Sequence, residues 1–319
     1  MPQQTIFITG GSGYIGSVLI EHAITQGYAI TALSRTESSD AKLRGLGASP
    51  VRGDLTTLSV LSEHASAADI TINLADAIAG QIGKITHEER FAINYAAHAA
   101  LAEGVKGTSK PLIITSGSLV AGPDPKGSET EEDAPGWPEG HLFRSMMESH
   151  TAKFLEMGVN VSYVRLAPYV YGRGGSGVRL YMDFWSKEGS GFYVLPGTAR
   201  TSTVHVEDAA RLYLLVAEKG RPGRSYNATS ETGVTQRELS EAVCRTLGVE
   251  CKALEYGVVE KMMGEFLATF MSVSNRASNR KAREELGWVV RAEKGILEEI
   301  ETGSYVEVAK ALKQGINSA

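Results

Sequence analysis

Three glycines at three-residue spacing, Gly10, Gly13 and Gly16, follow the apolar run Thr5-Ile-Phe-Ile-Thr9 directly and lead straight into Ser17-Val-Leu-Ile-Glu21. Glycine lets a backbone turn tightly and approach a ligand with no Cβ in the way. A helix starting at the last glycine would offer unpaired N–H groups and a positive dipole end to an anion. The chemistry that suits this spacing is the cradling of a pyrophosphate, with Tyr14 and Ile15 inside the loop among the contacts. A glycine triplet alone is equally a flexible surface loop; the strand before it and the helix after it are the context that a dinucleotide site demands. A second group, Ser34-Arg35-Thr36, closes the next apolar run. An acidic side chain there would bond both ribose hydroxyls of NAD, whereas a hydroxyl and a guanidinium suit a 2′-phosphate. The expected cofactor is therefore NADP(H), with Glu37 near enough to keep NAD open.

Those residues need a scaffold, and the apolar periodicity provides one. Strands are expected at residues 29–33, 50–52, 69–75, 111–118 and 159–166 after the first, with helices between them ending or starting at Gly27, residues 40–47, His64, residues 88–106 and 141–156. Strands alternating with helices argue for an α/β protein with a Rossmann-like, doubly wound parallel sheet covered on both faces. Asp54, in Gly53-Asp54-Leu55, either caps the following helix or accepts from an adenine amino group, and the two are compatible. Leu74 and Ala75 end the fourth strand in small or apolar residues that would let a cofactor lie close to the backbone. Thr115, Ser116 and Ser118 bring hydroxyls to the end of the fifth, and Pro168 opens the loop after the sixth. Residues 122–140 read as a long irregular loop whose acidic run, Glu129, Glu131, Glu132 and Asp133, is expected to be a solvated face. The dinucleotide-binding domain is placed at residues 1–170 with a return segment at about 200–222. A smaller C-terminal α/β substrate lobe takes residues 171–199 and 223–319.

Taken together, Thr9-Gly-Gly-Ser-Gly-Tyr-Ile-Gly16, Gly53-Asp54-Leu55, Asn73-Leu74-Ala75, Arg165-Leu-Ala-Pro168-Tyr-Val-Tyr171-Gly172 and Val204-His-Val-Glu-Asp208 resemble the extended short-chain dehydrogenase/reductase superfamily, in its epimerase/dehydratase-like branch. Thr115-Ser-Gly117, Gly191-Phe-Tyr193, Asp208-Ala-Ala-Arg-Leu212 and Leu286-Gly-Trp288 resemble an atypical subgroup. The resemblance implies a nicotinamide cofactor, a small-molecule substrate and a second lobe closing over it. Relatives often pair as homodimers through the helices after their fourth and fifth strands, which the sequence leaves open.

Most of that superfamily carries Tyr-x-x-x-Lys on the helix after the fifth strand, where the lysine lowers the tyrosine pKa and the tyrosine trades a proton with the substrate oxygen. Here the corresponding positions fall on Phe143 and Met147, or with a one-residue slip on Arg144 and Glu148. Three readings follow. Arg144 and Glu148 replace the pair, the arginine anchoring an oxyanion, or else form an exposed ion pair. A tyrosine from elsewhere, Tyr169, Tyr171, Tyr181 or Tyr193, enters the pocket and donates the proton, although packing is the commoner role for each. Or the substrate needs no protein acid, as an iminium would not. The serine of the family falls near Gly117, so Ser116 and Ser118 flank it. Tyr193 and Arg200 are candidate substrate contacts. His205, in the phrase that joins the lobes, is read as structural. The leading function is an NADPH-dependent reductase of a small carbonyl or imine; a cofactor-binding regulator and a non-redox isomerase or cyclase on the same fold are the alternatives.

Composition sets the outer limits. The chain has 319 residues, 42% hydrophobic and 22% charged, with a net charge of -5, so nucleic acid and anionic membrane are not expected partners. No run approaches the ~20 apolar residues of a membrane span. The amino terminus lacks a secretory pattern, and two cysteines form neither a disulfide framework nor a metal-ligand set. The expected location is the cytoplasm.

Overall fold

The computed structural model describes residues 3–79, 84–139, 141–143 and 148–317. Its first part alternates strand and helix: β1 (Thr5–Thr9), α1 (Tyr14–Thr25), β2 (Ala29–Ser34), α2 (Glu37–Gly45), β3 (Ser49–Arg52), α3 (Leu58–Ala67), β4 (Ile70–Asn73), α4 (His87–Val105), β5 (Pro111–Gly117), α5 (Thr151–Glu156) and β6 (Asn160–Leu166). The rest comprises β7 (Tyr169–Tyr171), α6 (Ser176–Glu188), β8 (Ser190–Val194), β9 (Arg200–His205), α7 (Val206–Lys219), β10 (Ser225–Ala228), β11 (Glu231–Thr235), α8 (Gln236–Leu247), β12 (Glu250–Leu254), α9 (Tyr256–Met263), α10 (Glu265–Phe270), α11 (Arg280–Leu286), α12 (Ile296–Thr302) and α13 (Tyr305–Asn317).

Seven strands form one sheet in the order β10-β6-β5-β4-β1-β2-β3, every neighbouring pair parallel. This is the Rossmann-like sheet expected from the alternation. β1 shows why both faces must be covered: Ile6, Phe7 and Ile8 are all fully buried. Ile6 and Ile8 point into the core under α1 and α7, and Phe7 into the core under α3 and α4. Each such side chain contributes about 1.5–3 kcal/mol of burial free energy. The strand order reverses between β1 and β4, which opens a crevice at their carboxyl ends.

A second core gathers Tyr169, Tyr171, Val178, Met182, Trp185, Phe192 and the inward faces of α8, α12 and α13. Small sheets flank it: β11-β9-β7, and β12 parallel to β8. The chain returns to the first sheet more than residues 200–222 suggested. β10 forms its edge beside β6, and Leu286 and Trp288 pack into the core under α7. Polar Ser225 and Asn227 had disguised that strand.

The acidic run is not a solvated face. Glu132 is only 6% exposed, accepts from Asn227 N at 3.0 Å and lies 3.5 Å from Lys281 Nζ. Glu131 pairs with Arg280, and Glu129 accepts from Thr232. Arg276 donates to the Gly127 and Thr232 carbonyls. The loop after β5 is thus clasped to the segment before α11, with Glu132 buried and Glu131 half-buried, while Glu129 and Asp133 stay exposed. The helix expected over 141–156 is present as α5 from Thr151, preceded by turn at 148–150; Arg144 and Met147 lie outside the described residues.

Candidate functional site

At the head of the crevice, Gly10 takes φ 75° as the chain leaves β1. A Cβ there would stand 2.8 Å from Ala75 N and 2.9 Å from the Leu74 carbonyl carbon, and one on Gly16 would collide with the Gly10 and Gly11 backbone. These two glycines are required by packing of backbone on backbone. Gly13 differs, since a Cβ there would meet only Gly10 O, at 3.1 Å, and otherwise open space. Gly13 is also the N-cap of α1, bringing no side-chain cap, and the first turn holds no carboxylate. The N–H groups of Tyr14, Ile15 and Gly16 therefore have no intrahelical acceptor. This cradle fits a pyrophosphate. The Tyr14 side chain is committed elsewhere: its hydroxyl donates to Gly172 O at 2.6 Å and its ring lies where a Cβ on Gly175 would go. Burial, with the neighbouring Tyr305 phenol, pushes its pKa up. Tyr14 thus leaves only its N–H for a cofactor and uses its ring to join the lobes, while Ile15 packs against the first core.

Beneath the crevice, Thr9 Oγ1 donates to Asn73 Oδ1 at 2.5 Å, and Asn73 Nδ2 meets His98 Nε2 at 3.0 Å. Burial pushes the His98 pKa down to about 4, so its ring is neutral near pH 7 and accepts the amide proton. Leu74 N and Ala75 N return to Thr9 O and Oγ1.

At the adenosine end, Ser34 is buried and its hydroxyl donates to Thr36 O at 3.2 Å. Arg35 is exposed, with one long contact of 3.5 Å to Ala79 O. It stands beside the N-terminus of α2, where Thr36 caps Ser39 N and Ser38 adds a hydroxyl. Lys42, which spacing alone did not single out, reaches Ser12 O at 2.8 Å and so brings a second cation to the rim of the glycine loop. Asp54 Oδ1 accepts from Thr56 N, Thr56 Oγ1 and Thr57 Oγ1, bonds that hold its carboxyl below the usual range. These bonds close the turn ahead of α3, whose N-cap is Thr57, so Asp54 does not itself cap that helix. Leu55 is a core side chain.

The carboxyl end of β5 departs furthest from the sequence reading. Thr115 Oγ1 donates to Asn73 O at 2.7 Å and lies 2.7 Å from Tyr213 Oη. Ser118 is 1% exposed and locked to Asn275, its hydroxyl donating to Oδ1 at 2.8 Å while Nδ2 donates back to Ser118 O at 3.1 Å. Glu148 is largely buried. It receives a bidentate pair from Arg165 of β6, Nε to Oε1 at 2.8 Å and Nη2 to Oε2 at 2.6 Å, with Ser225 Oγ at 3.0 Å. Burial pushes the Glu148 pKa up, but hydrogen bonds and charge from Arg165, helped by Ser116 and Ser225, outweigh it and hold the carboxyl below its ordinary value. Ser116 Oγ, itself buried, lies beside that carboxylate without closing an aligned hydrogen bond. Arg165 Nη1 also donates to Glu132 O at 2.7 Å.

Tyr169 does not face the crevice. It is 1% exposed, its hydroxyl shared with Tyr181 Oη and Gln236 Oε1 at 3.0 Å each, and burial pushes its pKa well up. The proton-donor expectation for Tyr169 therefore gives way to packing. Pro168 turns the chain from β6 into β7. His205 caps α7 through Nδ1, as its structural reading required. In the second lobe Tyr193 is largely buried with the Arg237 guanidinium 5.4 Å from its ring centre. Arg200 is exposed beside an open cavity of about 190 Å³ lined by residues 194–199, Ser272 and Ser274.

The parallel sheet with its strand-order reversal and the open helix terminus beside it define a dinucleotide-binding α/β protein. Residues 6–229 match the NAD-dependent epimerase/dehydratase family, and the chain belongs to that family. It is similar to an uncharacterised protein of Saccharomyces cerevisiae, 30% identical over 302 residues that span 92% of this chain and 97% of the relative. It is also similar to a 4-hydroxy-2-methyl-3-oxo-4-farnesyl-3,4-dihydroquinoline-1-oxide ketoreductase of Stigmatella aurantiaca, at 22% identity over 77% of this chain and 74% of the relative. Among solved structures, UDP-glucose 4-epimerase of Thermus thermophilus in complex with NAD superposes with a TM-score of 0.73 at 19% identity, covering 96% of this chain and 99% of that one. The protein is accordingly an oxidoreductase-type enzyme that uses a nicotinamide dinucleotide. No helix among the described residues is long and apolar enough to cross a membrane.

Two expectations follow. Gly13→Ala should weaken dinucleotide binding about 10-fold, ~1.4 kcal/mol, with little change in melting temperature. Gly16→Ala should unfold at a visibly lower temperature; titration calorimetry and thermal melts on both variants check this, and equal behaviour would contradict the assignment. Second, a carboxylate whose pKa is lowered by folding stabilises above its unfolded value, 4.5 for Glu148, and that stability is lost as pH falls through the folded value. Glu148→Gln leaves Arg165 buried without its counter-charge and should cost about 3 kcal/mol near neutral pH, the gap to wild type shrinking below about pH 4.5. Urea unfolding across pH measures it, and a gap that widens in acid would refute the ionised pair.

Proposed function

We propose that the protein is an NADPH-dependent reductase of a small carbonyl or imine compound, acting without the usual tyrosine acid. When bound, the reduced nicotinamide supplies a hydride to an electrophilic carbon. The observation that carries the reading is the state of Glu148. Locked ionised by Arg165, it has no proton to give, and the hydroxyls of Thr115, Ser118 and Tyr169 are spent on other partners. Hydride acceptance that needs no protein acid, at an iminium carbon or at a carbonyl protonated by water, suits these residues. Arg144, outside the described residues, keeps its proposed role as an oxyanion anchor. The ketoreductase relative supports reduction of a carbonyl as the reaction class.

NADP rather than NAD is proposed from Arg35, Lys42 and the hydroxyls of Thr36 and Ser38 around the end of β2. Tyr193 and Arg200 are proposed to wall the substrate cleft from the second lobe, with Thr115 and Pro168 against the nicotinamide. The two free thiols agree with a cytoplasmic location, and pairing as a homodimer is part of the same proposal. The test is oxidation of NADPH over a panel of ketones, aldehydes and cyclic imines, together with Arg35→Ala. Turnover of at least one carbonyl or imine is expected, with Arg35→Ala raising the Kd for NADPH about 10-fold or more and that for NADH hardly at all. Tight NADPH binding with no turnover on the panel would favour a cofactor-dependent regulator, and an equal effect on both nucleotides would overturn the phosphate assignment.

A further inference from the structure

The chain has two cysteines, Cys244 and Cys251, and the second lobe brings them together. β12 runs parallel to β8 with Cys251 directly beside Gly191. Neighbours across a parallel ladder send their side chains to the same face. On that face a Cβ at Gly191 would collide with Cys244 Sγ of α8 and with the Trp185 ring. The absent side chain of Gly191 is therefore the space into which the Cys244 sulfur fits, one ladder position from Cys251. The two side chains thus converge on the space that Gly191 leaves empty.

Their surroundings divide the roles. Cys244 is 1% exposed, packed in the second core, and the Cys251 sulfur together with burial pushes its pKa up. Cys251 is half-buried on a short strand. The bond from Cys244 lowers its pKa, Arg237 and Arg245 favour the thiolate, and Glu241 and burial oppose it. An accessible, thiolate-prone sulfur backed by a buried thiol is the arrangement that oxidation to a disulfide requires.

We propose that Cys251 and Cys244 are a redox modification site, at which a hydroperoxide converts the two thiols into one intrachain disulfide. The Cys251 thiolate attacks a peroxide oxygen and the O–O bond breaks. For hydrogen peroxide the departing hydroxide takes up a proton and leaves as water. The Cys244 sulfur then attacks the Cys251 sulfenic acid, the S–O bond breaks, and a second water carries off the remaining proton. Two thiols have lost two electrons to one peroxide, giving one disulfide and two waters. The crosslink would weld α8 to β12 beside β8, whose Tyr193 lies against Arg237 of α8.

The experiment treats the full chain with hydrogen peroxide, blocks remaining thiols with N-ethylmaleimide, and maps residues 244 and 251 by peptide mass spectrometry with and without dithiothreitol. Both thiols are expected to vanish together, to be recovered on reduction, and to appear as one crosslinked peptide within a monomer. In Cys251→Ser, Cys244 should oxidise at least ~10-fold more slowly than Cys251 does in the wild type, because burial and a raised pKa leave it little thiolate. In Cys244→Ser, Cys251 should accumulate as a sulfenic acid trapped by dimedone. Oxidation of Cys251 to sulfinic acid while Cys244 stays a free thiol, or a wild-type disulfide between two chains, would overturn the proposal. The wild-type map stands even if a variant fails to fold.

Discussion

At Gly10 and Gly16 two backbones touch so closely that neither position has room for a single side-chain carbon. That approach seats the start of α1 against the end of β1 and presses the Leu74–Ala75 turn onto the loop. It does so at the place where the sheet's strand order reverses. The crevice, the aim of the α1 N-terminus and the spacing between β1 and β4 all follow from it. Gly13 can then remain open to a ligand, because its neighbours have already fixed the turn. The Thr9–Asn73–His98 chain beneath holds the same two strand ends in register with a neutral histidine.

Across the crevice the second constraint is electrostatic. Arg165 and Glu148 are 10% and 18% exposed at their side chains, so each would be costly alone and the pair holds because both forks are filled. A buried ion pair of this kind adds little over a well-packed apolar pair, but its geometry is exacting, and loss of either partner strands the other. Here it fixes the turn at residues 148–150, just ahead of α5, to β6. Through Arg165 Nη1 it also ties in the Glu132 carbonyl of the loop that reaches toward α11. Ser118 with Asn275 adds a further tie to that segment. Among the described residues, the hydroxyls of Thr115, Ser118 and Tyr169 and the Glu148 carboxylate are consumed in holding the parts together.

Much of the fold could be read from local pattern. The β-branched run at Thr5–Thr9, the glycine spacing after it and the alternation to β6 needed only periodicity and turn chemistry, and the match over residues 6–229 agrees. What failed was long-range pairing. Arg144 and Glu148 are spaced as neighbours on a helix, yet Glu148 is claimed by Arg165, 17 positions on and across the sheet. Glu129 to Glu132 read as solvent-facing because their partners, Thr232, Arg280 and Lys281, lie far along the chain. Tyr169 stands in a phrase shared with relatives, but its ring points away from the crevice into a core that forms only once α6 and α8 assemble. Lys42 looked like an ordinary helix residue until α2 was placed beside the glycine loop.

The central proposal is that a nicotinamide in this crevice gives its hydride to the substrate although no free acid stands ready among the described residues. It is tested most directly with NADPH deuterated at nicotinamide C4, taking each diastereomer in turn with whichever compound is turned over. Deuterium should pass from one diastereomer alone into a single new C–H position of the product. Product formed with no deuterium from either would contradict the account and point to isomerisation or cyclisation on the same fold.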